Sequence, residues 1–277
     1  MAVSPADAST SRPVDAVIKL GGDVLEGDAL ADAAAEIARA RAGRRLLVVH
    51  GGGPQVTALA RRLGIEANIV GGRRITDDPM LDVVKRVISG LNVDLLAALE
   101  ADGVPACGVS GASGVIRAHR RTPRVVTGAG DAPIDFGLVG DIDGFDLVLL
   151  DALDARDALP VIACLGADTS GTVLNINADV VASQLAGMVR AAALVACTAV
   201  GGVRRDKDDP TTRLARLTVA EAKAAIADGT VQGGMIPKLE EAFAPLAAGV
   251  AAVHIVAPSE IATSLLEPGS VGTLLVP

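Results

Sequence analysis

The chain has 277 residues, enough to bury a large core as one α/β domain or as two lobes. Half of it is hydrophobic, yet no apolar run reaches the ~18–20 residues that a membrane-spanning helix needs, and residues 1–13 lack the basic and apolar segments of a signal peptide, so a soluble, cytoplasmic protein with a disordered lead-in is expected. The net charge of −8, the lack of a strong basic block and an aromatic content of 1% argue against a nucleic-acid partner, because duplexes need clustered cations and single strands need stacking rings.

In chain order, residues 14–20 read as a strand, 28–41 as a helix, 45–50 as a strand, 54–63 as a helix, 79–101 as a longer helix and 104–109 as a strand. Residues 115–143 break the rhythm. They are rich in Gly, Pro, Thr and Arg, and predict hairpins or loops projecting from the main sheet. The alternation then resumes with a strand at 160–165, a helix at 178–188, a strand at 193–198, helices at 219–227 and 235–247, a strand at 251–256, a helix at 259–266 and a strand at 271–276. Strand runs that are continuously apolar, such as residues 46–49, suit a sheet covered on both faces. The fold class this predicts is α/β, a three-layer αβα sandwich with a largely parallel central sheet. Cys107, Cys164 and Cys197 are far apart in apolar runs without ligand spacing, so buried thiols are expected rather than a metal site or a disulfide framework.

Five segments carry chemistry. In Val17-Ile18-Lys19-Leu20-Gly21-Gly22 a lysine interrupts a strand that should be buried, which is costly unless an anion meets it. The glycines after it leave backbone N–H groups free to approach a phosphate. A lysine at an edge, snorkelling to water, explains the same residues. His50-Gly51-Gly52-Gly53-Pro54 joins a strand to a helix and aims N–H groups at an anion, although a ligand-free tight turn reads the same way. Its spacing matches neither the dinucleotide-binding nor the P-loop glycine pattern. Gly71-Gly72-Arg73-Arg74 offers guanidinium groups suited to a carboxylate, though exposed arginine pairs are common. In Asn175-Ile176-Asn177-Ala178-Asp179, Asn177 caps a helix and Asp179 favours its first turn; capping leaves Asn175 unexplained. In Gly233-Gly234-Met235-Ile236-Pro237-Lys238, a first-turn lysine opposes the helix dipole and suggests a nearby anion, or else a solvated side chain paired with Glu240 or Glu241.

Taken in this order, with Phe136-Gly137-Leu138-Val139-Gly140-Asp141 and Val271-Gly272-Thr273 in support, the segments resemble the N-acetylglutamate kinases of the amino-acid kinase family. The resemblance runs from Val14 to the C-terminus. It implies an N-terminal lobe, 14–190, that binds the acyl amino acid and dimerises, and a C-terminal lobe, 191–277, that binds ATP. By the same resemblance, Lys19 and Lys238 flank the transferring phosphoryl group and Asp179 holds both lysines. Gly52, Gly53, Arg74 and Asn175 hold N-acetyl-L-glutamate. ATP, with Mg2+ carried mainly by its phosphates, meets Gly21, Gly22 and the loop Ala199, Val200, Gly201, Gly202, Val203 and Arg204; no protein metal ligand is implied. Arginine-inhibited members of that family tend to carry a long N-terminal helix that links dimers into hexamers. The segment before Lys19 is short and poor in helix propensity, so the resemblance implies a homodimer that arginine does not inhibit.

The chemistry agrees with this site. A carboxylate nucleophile, with a pKa of about 4.3, is already ionised at neutral pH and needs no general base. His50, His119 and His254 show no triad-like partners. One departure stands out: the family's nucleotide loop usually reads Thr/Ser-Asp-Val-x-Gly-Val, whereas this chain has Thr198-Ala199-Val200-Gly201-Gly202-Val203 and so lacks the acidic residue. An N-acetyl-aminoadipate kinase and a non-catalytic ligand-binding regulator remain alternatives. A dinucleotide-dependent dehydrogenase is disfavoured by the missing glycine fingerprint.

Overall fold

Side chains alternate across a strand with a period of two, and the computed structural model shows how this chain uses that alternation. It describes residues 12–71, 73–126, 130–206, 209–232 and 235–277. The expected lead-in lies almost wholly outside the described residues, as do Gly72, Gly233 and Gly234.

In chain order the first half contains β1 (Ala16–Leu20), α1 (Gly27–Ala40), β2 (Leu46–His50), α2 (Gly53–Arg62), β3 (Ile69–Val70), β4 (Arg73–Arg74), α3 (Asp78–Ala101), β5 (Ala106–Val109), β6 (Ile116–Arg120) and β7 (Gly140–Phe145). The second half contains α4 (Leu147–Asp154), β8 (Leu159–Ala163), β9 (Leu165–Ala167), β10 (Val173–Asn175), α5 (Ala178–Met188), β11 (Ala193–Cys197), β12 (Arg216–Thr218), α6 (Val219–Ala227), α7 (Met235–Ala247), β13 (Ala252–Val256), α8 (Ile261–Leu266) and β14 (Thr273–Val276).

Eight strands form the main sheet in the order β12-β14-β13-β11-β1-β2-β8-β5. Its pairs are parallel except for the antiparallel β13–β14 pair. Ile18 and Leu20 pack into a core with Ala33 and Ile37 of α1, Leu95 and Leu99 of α3, and Ile261 of α8. Val17 faces the opposite core, with Val181 and Leu185 of α5 and Leu239 of α7. The expected αβα sandwich is therefore present. Lys19, two residues after Val17, takes the α5 side of the sheet.

A second sheet, β10-β9-β6-β7, is built largely from the irregular middle of the sequence, and β3 pairs with β4. The expected strand at 160–165 is divided: β8 ends at Ala163, and Leu165 begins β9 in the second sheet. Helix α4 and strand β12 were not expected. The first is short and nearly all apolar, so it shows no helical periodicity, and the second has only three residues. Asp146 caps α4, its side chain accepting from the N–H groups of Val148 and Leu149. Among the described residues, no helix is long and apolar enough to cross a membrane.

Parallel sheets gather their loops at the carboxyl ends of the strands, and a crevice opens where the chain leaves neighbouring strands in opposite directions. Here β1 is that place. It lies between β11 and β2, with Leu20 level with Cys197 and His50, so the turns after all three strands converge.

Candidate active site

Lys19 sits one residue before the end of β1, where the sheet alone offers its amine no counter-charge. Helix α5 supplies one. Asn177 caps that helix by accepting the N–H of Asp179 at 2.8 Å, as the sequence predicts. This fixes Asp179 in the first turn, where its Oδ1 lies 2.5 Å from Lys19 Nζ. Burial alone would lower the Lys19 amine, but the charge and hydrogen bond of Asp179, joined by the charges of Glu241 and Asp23, outweigh it and hold the amine above the ordinary lysine value.

Two clefts open beside this pair. The narrower, of about 490 Å3, is lined by Lys19, Gly21, Gly22, Gly52, Gly53, Arg74, Asn175 and Asp179. Arg74 reaches it from β4 and donates to the carbonyl of Gly53 at 3.1 Å and to Thr57 Oγ1 at 2.7 Å. Both acceptors are neutral, and burial lowers the guanidinium from its ordinary value, so an anion in the cleft would be well matched to it. Asn175 ends β10 and donates its side-chain N–H to Thr76 Oγ1 at 3.1 Å. Gly52 and Gly53 open α2, whose N-terminus faces the same space.

The wider cleft, of about 820 Å3, is lined by Val200, Gly202, Arg204, Arg205, Met235 and Lys238 among others. Between the two lies a gap of about 250 Å3, bordered by Lys19, Asp179, Thr198, Lys238 and Glu241. Lys238, in the first turn of α7, is thus shared by the wide cleft and the gap. Burial lowers its amine and Lys19 adds to that, while Asp23, Asp179 and Glu241 oppose it.

The structure gathers Lys19, Lys238, Asp179, Gly21, Gly22, Gly52, Gly53, Arg74, Asn175, Val200, Gly202 and Arg204 around these spaces. It places three members of the 199–204 loop differently. Val203 is fully buried, and its N–H donates to Thr273 Oγ1 at 2.7 Å. Gly201 packs on Ala257, and Ala199 turns its N–H toward Asp23.

Several neighbours were not assigned to the site from the sequence. Gln55 donates to the carbonyl of Gly22 at 2.6 Å and ties the first two glycine turns together. A Cβ on Gly22 would lie 2.7 Å from Pro54 Cδ and 3.1 Å from Gly52 Cα, so only glycine allows that approach. Arg121 is 5% exposed, binds Asp141 Oδ1 through Nε and Nη2 at 2.9 and 2.6 Å, and lies 5.9 Å from the centre of the Phe136 ring. It lines the narrower cleft with its charge already compensated. Glu241 follows Lys238 by three residues, which puts both on one helix face. Solvent still reaches it, but the walls of the gap and the charge of Asp179 push its carboxyl up to about 7. Only for Glu241 did the sequence carry a signal, through that spacing.

Among the described residues, no group of three or more His, Cys, Asp and Glu side chains is placed to hold a metal ion.

The sequence profile of the amino acid kinase family matches residues 16–257, and the chain belongs to that family. It is 52% identical to the acetylglutamate kinase of Anaeromyxobacter dehalogenans (strain 2CP-1 / ATCC BAA-258), over 94% of this chain and 98% of the relative. It is 51% identical to the acetylglutamate kinase of Sorangium cellulosum (strain So ce56), over 100% of both chains. Among solved structures it is similar to N-acetylglutamate synthase from Neisseria gonorrhoeae complexed with coenzyme A and N-acetyl-glutamate, with a TM-score of 0.79 and 25% identity. That match covers 95% of this chain but 59% of the synthase. Carbamate kinase from Giardia matches with a TM-score of 0.69 over 96% of this chain and 99% of its own, and at 18% identity it speaks to the fold alone.

Proposed function

We propose that the chain is an acetylglutamate kinase, transferring the γ-phosphoryl group of ATP to the γ-carboxylate of N-acetyl-L-glutamate. The carrying observation is the placement of Lys19 and Lys238 on the gap that joins the two clefts. A reaction that moves a dianionic group between two anionic oxygens asks for cations at the midpoint, and no proton need be removed.

In this reading N-acetyl-L-glutamate occupies the narrower cleft. Arg74 binds its α-carboxylate, and Asn175 and the backbone N–H groups of Gly52 and Gly53 hold the rest. MgATP lies in the wider cleft along the 199–204 loop, its magnesium carried mainly by phosphate oxygens, and its terminal phosphate comes to Gly21 and Gly22. A γ-carboxylate oxygen attacks the γ-phosphorus, a C–O–P linkage forms, the bond to the β-phosphate oxygen breaks, and ADP leaves with that electron pair. Lys19 and Lys238 neutralise the charge on the phosphoryl oxygens, and Asp179 keeps Lys19 charged and aimed. We assign 14–190 to acyl-amino-acid binding and dimerisation and 191–277 to ATP, in a cytoplasmic homodimer. The family likeness supports that assignment.

The test is ADP release from MgATP with N-acetyl-L-glutamate, beside N-acetyl-aminoadipate, glutamate and a Lys238→Ala control. Turnover with acetylglutamate that falls about a hundredfold or more in the control is expected. Preference for the aminoadipate would overturn the substrate assignment, and no turnover with any of them would overturn the kinase.

A further inference from the structure

Asp23 lies between the glycine turn after β1 and the loop after β11, and the reaction above gives it no role. It sits in the short 3-10 turn Gly22–Val24 and is exposed. Its side chain nevertheless does not run out into solvent. A Cβ built on Gly21 would lie 2.2 Å from Asp23 Oδ1, so the carboxylate folds back through space that only a glycine at 21 leaves open. Along that path Oδ2 accepts a hydrogen bond of 2.9 Å from the N–H of Ala199. The 198–203 loop has no acidic side chain of its own. The carboxylate found against it comes from the adjacent strand's turn, across the parallel β1–β11 pair.

The same charge acts on Lys238. Of the groups that favour that lysine's charged form, Asp23 is the strongest, ahead of Asp179 and Glu241. Both amines at the gap feel both carboxylates: Asp179 is in contact with Lys19 and also favours the charge on Lys238, and Asp23 acts on Lys238 first and on Lys19 more weakly. A hydrogen bond to an ionised acceptor is also stronger than a neutral one, which suits a clamp on a loop rich in glycine.

We propose that Asp23 is a positioning residue for phosphoryl transfer: it clamps the 198–203 loop to the end of β1 and supplies from outside the loop the carboxylate that the loop lacks. The inference rests on the kinase reading, and its test separates the two. Asp23→Asn keeps an acceptor for Ala199 but removes the charge, Asp23→Ala removes both, and Ala199→Asp puts a carboxylate into the exposed loop itself.

In Asp23→Ala, kcat is expected to fall about ten- to a hundredfold, the range of a lost charged hydrogen bond. The KM for N-acetyl-L-glutamate and the thermal midpoint should stay near wild type. The Asp23→Ala/Ala199→Asp double variant is expected to recover most of that loss, a rescue that a merely structural tie would not give. Wild-type kcat in both Asp23 variants, or a folded double variant no faster than Asp23→Ala, would overturn the proposal; should Asp23→Ala not fold, the isosteric Asp23→Asn decides by the same criterion. Amide exchange across residues 198–203 needs no turnover. It should quicken in Asp23→Ala, and unchanged exchange refutes the clamp, whereas missing wild-type turnover refutes the kinase.

Discussion

Replacing Asp179 with Asn removes one charge and leaves the shape of the site intact. The Asn177 cap binds the backbone N–H of residue 179 and survives the change. What is lost is the partner of Lys19, whose side chain is 14% exposed beside an Asp179 that is 26% exposed. Breaking a fully buried pair by removing one member costs about 3–5 kcal/mol; partial access of water to both ends reduces this to about 2–3 kcal/mol. Losing an acid from the first turn of α5 adds about 0.3–1 kcal/mol. At roughly 2 °C per kcal/mol for a chain of this size, the midpoint should fall by about 5–8 °C.

The catalytic consequence is separable by pH. In wild type Asp179 holds the Lys19 amine above its ordinary value. That interaction therefore stabilises the fold in full below the unfolded lysine value of 10.5, and is lost as pH rises through the higher folded value. Without Asp179 burial is opposed only by the weaker charges of Glu241 and Asp23, so the amine is expected to fall from its wild-type value. Turnover in Asp179→Asn should then decline on the alkaline side where wild type stays flat, on top of a loss in kcat of about a hundredfold from misplacement. ADP release followed from pH 6 upward, with melting curves at each pH, measures both effects. A variant with wild-type kcat and a flat alkaline profile would refute the role given to Asp179.

Arg74→Ala should raise the KM for N-acetyl-L-glutamate by about ten- to a hundredfold with a smaller change in kcat, because the guanidinium grips substrate away from the reacting carboxylate; initial rates at saturating MgATP decide it. Glu241 titrates near 7 in the folded chain against 4.5 for its ordinary value. The folded state holds that proton longer, so this group's contribution to stability falls as pH rises between those values and levels off above them. Glu241→Gln should accordingly raise the melting midpoint at pH 8 and leave it nearly unchanged at pH 4, as calorimetry would show. Gly22→Ala forces a methyl group to within 2.7 Å of Pro54 and 2.9 Å of Gln55. A cost of about 1–3 kcal/mol in the unfolding free energy is expected, measured by urea titration, together with weaker nucleotide binding.

Local physics is legible along the chain itself. A lysine in an apolar strand, glycine turns closing β1 and β2, the Asn177 cap and the apolar periodicity of α1, α3 and α5 are properties of adjacent residues, and the sequence by itself determined them. Family membership followed from the order of those segments. The tertiary structure alone decided which charges meet. Asp179 reaches Lys19 because α5 starts beneath the carboxyl end of β1, and Asp23 reaches Ala199 because β11 pairs with β1. Arg121 is neutralised by Asp141 because the second sheet sets β6 beside β7. The sequence anticipated projecting hairpins there, but not how they pair with β9 and β10, because strands this short carry little apolar alternation. Pairings between distant residues depend on strand order, which no local window of sequence contains, and so the positions of the functional charges were fixed only when the sheet closed around them.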